Sequence, residues 1–101
     1  MTIDGIQISD EALRSLCDRY SVKKISLFGS RARGDNRSDS DIDLLVDFLP
    51  GSKIDLFDFV GFKLSLQDLL GIKVDLVSMD GLRPRIRETV LREARPVYAV
   101  G

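Results

Sequence analysis

The chain has 101 residues, 44% of them apolar and 31% charged, with a formal net charge of −1. That is enough for one small domain spanning 1–101, and the composition excludes extended disorder. A single cysteine, Cys17, and no histidine exclude an internal disulfide, an ordinary zinc site and any Ser–His or Cys–His catalysis, so chemistry here falls to carboxylates.

In chain order, Ser9 is placed to cap a helix whose first turn carries Asp10 and Glu11, both favourable at the positive end of the helix dipole. Leu13, Leu16, Cys17 and Tyr20 follow at i, i+3, i+4 and i+7, one apolar stripe, with Cys17 a buried small hydrophobe on it. Residues 24–28 read as a strand ending at Gly29, and residues 42–48 as a second strand stopped by Pro50-Gly51. A long helix starts at Ser52 or Asp55, runs to Leu70 and stops at Gly71, a left-handed cap. Its apolar residues cover more than one stripe, so it is either sandwiched within the fold or meets a partner. Residues 72–77 form a third strand, Pro84 opens a last helix reaching Ala94, and residues 96–100 suit a short edge strand. The pattern predicts a small α/β domain with a three- or four-stranded mixed sheet flanked by about four helices.

Charge is unevenly spread. Residues 81–101 hold 5 basic and 2 acidic groups, whereas residues 1–80 hold 10 and 14. Arg83 and Arg87 share one face of the last helix and Arg85 and Arg92 another, while Glu88 and Arg92 form an i, i+4 pair. Either this is a solvated charged helix, or its arginines meet an acidic partner or a triphosphate. The near-neutral whole argues against direct nucleic-acid binding. No apolar run is long enough to span a membrane, and residues 1–4 lack the pattern of a signal peptide. A lone cysteine then suits the cytoplasm, with no membrane partner.

The chemistry-bearing stretch is Gly29-Ser30-Arg31-Ala32-Arg33-Gly34, followed by Ser40-Asp41-Ile42-Asp43-Leu44. On a strand, Asp41 and Asp43 point to one face about 7 Å apart, with Ile42, Leu44 and Val46 on the opposite, core-facing side. Two carboxylates so close call for a cation, and magnesium, which takes oxygen ligands, fits. Asp75 interrupts the apolar run 72–77. It is either an exposed acid on an outer sheet face or, if its strand lies beside the second strand, a third ligand able to complete a two-ion site. After a strand, Gly29-Ser30 lets backbone N–H groups and a hydroxyl approach phosphate, and the residues that follow suit a short helix. Arg33 would contact phosphate or brace the loop through Asp39 or Asp41. A bare Gly-Ser is also an ordinary turn; its distance from Asp41-Ile42-Asp43 gives it weight.

These residues resemble the signature of the nucleotidyltransferase superfamily that includes DNA polymerase beta. The fuller form, with Ala32, Arg33, Gly34 and Ser40 in place, is similar to its minimal members, the MNT proteins, often encoded beside a HEPN-domain protein as a toxin–antitoxin pair. The resemblance implies a small nucleotidyltransferase fold in which Asp41, Asp43 and Asp75 are catalytic and hold two magnesium ions. It also implies that Gly29, Ser30, Arg33 and Ser40 bind a nucleoside triphosphate. The implied reaction is attack of an acceptor hydroxyl on the α-phosphorus with release of pyrophosphate. In MNT antitoxins ATP is the donor and a tyrosine of the HEPN toxin the acceptor; whether the chain forms a homo- or hetero-oligomer stays open. Two rivals stay open: the catalytic subunit of a small-molecule nucleotidyltransferase, and a non-catalytic antitoxin that acts by binding alone.

Overall fold

A computed structural model describes residues 2–3, 5–28 and 42–100. Its elements, in chain order, are β1 (Thr2–Ile3), β2 (Ile6–Gln7), α1 (Asp10–Arg19), β3 (Val22–Phe28), β4 (Ile42–Phe48), α2 (Leu56–Leu70), β5 (Val74–Ser78), a 3-10 turn (Met79–Gly81), α3 (Pro84–Glu93) and β6 (Arg95–Ala99). β1 and β2 pair as a two-stranded hairpin that the sequence patterns do not announce, and it delivers Ile3 fully buried into the core. The other four strands form one mixed sheet in the order β5-β4-β3-β6. β3 is antiparallel to both β4 and β6, and β4 is parallel to β5.

Local chemistry sets the helix ends. The Ser9 hydroxyl accepts from the Ala12 N–H at 3.2 Å, opening α1. α2 begins at Asp55, not at Ser52, because Asp55 and Asp58 form a reciprocal capping box: Asp55 accepts from the Asp58 N–H at 2.8 Å and Asp58 accepts from the Asp55 N–H at 3.3 Å. Gly71 closes the helix with φ 72°, a conformation that costs a residue with a Cβ more. Pro84 stands in the first turn of α3, where its missing N–H is harmless.

Alternation along the strands divides the protein into two layers about the sheet. Ile25 and Leu27 of β3, Ile42, Leu44 and Val46 of β4, and Val74 and Leu76 of β5 face the main core with Leu13 and Cys17 of α1 and Phe62, Leu66 and Leu70 of α2. Tyr20, Phe48, Phe59 and Phe62 pack with ring centroids 5.5–6.5 Å apart in this layer. The opposite face is partly covered by α3. Leu45 and Val90 are buried there, outside the main core, and a cavity of about 40 Å³ lies between Ser26, Leu45, Met79 and Leu91.

The breadth of α2 resolves into two sides. One is in the core; the other leaves Leu56, Phe57, Val60 and Leu64 exposed, Phe57 at 87%. Among the described residues no helix is long and apolar enough to cross a membrane. The expected short helix after Gly29 lies outside the described residues.

Candidate active site

β5 lies beside β4 and runs parallel to it, the arrangement on which a third carboxylate depends. Asp43 and Asp75 are direct register partners. Their neighbours explain why both acids leave the core: Ile42 and Leu44 are fully buried, Val74 and Leu76 nearly so, and strand alternation sends the residue between each pair to the other face. Asp43 is half-buried and Asp75 exposed. Phe28 pairs with Asp43 from β3. Phe28, Asp43 and Asp75 therefore form one row across three strands, on the face that α3 only partly covers. Phe28 was not among the residues that the motif singled out, although counting back from Gly29 along an alternating strand would have put it on this face.

Backbone bonds secure the row. The Ile42 N–H donates to the Lys73 carbonyl at 3.1 Å, joining the starts of β4 and β5. On the other flank of β5 the Val74 N–H donates to Gln67 Oε1 at 3.1 Å. Cys17 takes no part: it is fully buried in the α1 stripe, and burial, with Asp18 adding to it, pushes its thiol up to about 12.

Of the residues expected at the site, Asp43 and Asp75 are brought together. Gly29, Ser30, Arg33, Ser40 and Asp41 lie outside the described residues. The donor chemistry fits a hard divalent cation, since two carboxylates from neighbouring strands occupy one level of one face and neither thiolate nor imidazole competes there. Two arginines of α3 have a local use. Arg87 donates to the Met79 carbonyl at 3.4 Å, tying the helix to the preceding 3-10 turn, and Arg92 pairs with Glu88 at 3.4 Å in the open.

Comparison with known proteins agrees with this geometry. The nucleotidyltransferase domain family matches residues 9–97. The protein adenylyltransferase MntA of Thermococcus cleftensis is 43% identical over 82 residues, 79% of each chain. A structure solved as that of a candidate minimal nucleotidyltransferase is 53% identical, covers 86% of this chain and 87% of its own, and superposes with a TM-score of 0.72. At 20% identity the fold alone is shared with a complex of the tri-AMPylated Shewanella oneidensis HEPN toxin and its MNT antitoxin, with a TM-score of 0.62 over 89% of this chain and 69% of that one. Matched by the family's model over residues 9–97 and by a relative 43% identical over 79% of each chain, this chain belongs to the nucleotidyltransferase family, as one of its minimal members.

Proposed function

We propose that this nucleotidyltransferase is the antitoxin of a two-component pair, and that it silences a HEPN-domain toxin by transferring AMP from ATP to a tyrosine hydroxyl of that partner. The observation that carries the reading is the register pairing of Asp43 with Asp75 on adjacent parallel strands. Support also comes from the Thermococcus relative, named for protein adenylyl transfer, and from the fold shared with an antitoxin bound to its AMPylated toxin.

Asp41, Asp43 and Asp75 would hold magnesium, which when bound supplies positive charge to the triphosphate and lowers the pKa of the acceptor hydroxyl. Gly29 and Ser30 seat the triphosphate through backbone N–H groups and a hydroxyl, and Arg33 and Ser40 complete that seat. The Asp75 carboxylate takes the proton of the acceptor hydroxyl. The acceptor oxygen then bonds to the α-phosphorus as the bond from that phosphorus to its bridging oxygen breaks, and pyrophosphate leaves with the electron pair. Most of the acceleration comes from alignment and charge neutralisation. Recognition of the acceptor falls to the partner chain, for which the exposed side of α2 offers an apolar surface. A cytoplasmic location suits an ATP-dependent reaction of a protein with one reduced cysteine.

The test is incubation of the purified pair with ATP and magnesium, followed by intact-mass measurement of the partner. The reading expects mass gains in steps of one adenylate. Tight binding without any gain would leave masking alone. Asp43→Asn and Asp75→Asn should each lower transfer on the order of a hundredfold or more while the protein stays folded. Transfer at the wild-type rate in either variant would overturn the site.

A further inference from the structure

Among the described residues β5 is an edge strand, with β4 as its one neighbour in the sheet. Asp75 is its second residue, close to where an edge strand frays most readily. Across the ladder stands Asp43, and like charges at directly opposed positions of neighbouring strands work against pairing. Something must hold the start of β5 in place.

Only one flank of an edge strand is bonded to the sheet, so N–H groups on the other flank need partners from elsewhere. Val74 meets that need with the side chain of Gln67, whose Oε1 accepts its N–H at 3.1 Å in a part-buried setting. The backbone carbonyl of the same residue accepts the Gly71 N–H at 2.8 Å, and Gly71 turns the chain with φ 72°. Gln67 thus closes the connection from α2 to β5 twice, once through its backbone and once through its side chain. The second closure ends on the residue immediately before Asp75. On the sheet side, the Ile42 N–H to Lys73 carbonyl bond pins the same point. The start of β5 is held from both flanks.

We infer that Gln67 is a positioning residue for the proposed reaction, holding Asp75 level with Asp43 so that the carboxylates are set for a divalent cation before it arrives. The inference rests on the reading of Asp75 given above. Gln67 acts through the backbone of Val74, whose N–H its Oε1 accepts.

The experiment compares wild type with Gln67→Met, which keeps the length and loses the acceptor, Gln67→Asn, which keeps the amide and shortens the reach, and Gln67→Glu, which keeps an acceptor oxygen. Two quantities are read: amide hydrogen exchange at Val74 and Asp75 in the magnesium-free protein, and the magnesium concentration that half-saturates adenylate transfer. Gln67→Met and Gln67→Asn should speed exchange at both amides and raise the magnesium requirement on the order of tenfold, with the rate recovering at saturating magnesium. Gln67→Glu should restore slow exchange. If Gln67→Met or Gln67→Asn folds and keeps the wild-type magnesium requirement while Asp75→Asn is inactive, the positioning role is wrong and the catalytic reading stands. If Asp75→Asn itself transfers normally, the reading of the site falls and this inference with it. A loss in Gln67→Met that saturating magnesium does not recover, and that follows the folded fraction, would reduce Gln67 to a structural residue and overturn the proposal.

Discussion

Cys17 shows how position overrides reactivity. It sits fully buried on the α1 stripe, and desolvation, helped by Asp18, raises its thiol from 9.0 to about 12. Unfolded, it ionises near its ordinary value; folded, it keeps its proton. Between about pH 9 and 12 the native state therefore binds more protons than the unfolded one, so this group's contribution to stability is complete below pH 9 and is lost as pH rises toward 12. Urea melts across that window should show a falling midpoint, and Cys17→Ala should flatten the fall. At neutral pH a thiol reagent should label Cys17 only as fast as the chain opens. Asp43 and Asp75 are the contrasting case: acids that the strand period sends out of the core to the other face of the sheet.

The helices differ in what fixes their ends, and the differences are measurable. α2 depends on the Asp55–Asp58 box, so Asp55→Ala should cost about 1 kcal/mol in denaturant unfolding. α3 carries the Glu88–Arg92 pair, with both side chains more than 70% exposed. Such a pair holds two long side chains in place for a small, screened gain, so Glu88→Ala should change stability by less than about 0.5 kcal/mol. An Asp55→Ala effect no larger than that of Glu88→Ala would show that tertiary packing alone sets the start of α2.

Across the molecule, the two sides of α2 separate what holds the fold from what it presents outward. Phe62 is fully buried against Tyr20 and Phe48, and Phe62→Ala should cost roughly 3–5 kcal/mol, a large share of the stability of a domain this size. Phe57, five residues earlier on the same helix and 87% exposed, has little to lose. Phe57→Lys should leave the melting temperature within a degree or two of wild type and reduce self-association at high concentration. A large destabilisation by Phe57→Lys would mean that this side of the helix is covered in solution.

By itself the sequence determined the period of each element, the caps at Ser9 and Asp55, the stop at Gly71 and the Gly29-Ser30 to Asp43 motif, because these depend on residues within a few positions of one another. The alternation about Ile42, Leu44 and Val46 also settled which way Asp43 points. The N-terminal hairpin was hidden, since strands of two residues are too short to show a period. Tertiary structure decided the rest: that β5 lies parallel to β4 and in register, that α2 buries Phe62 and exposes Phe57, and that Gln67 reaches Val74. Asp75 could be read from its own strand as an outer-face acid or as a ligand, and local pattern cannot choose between them. Strand order adds what the local pattern lacks: α2 packs its buried side against the sheet and returns the chain so that Asp75, exposed, stands in register beside Asp43.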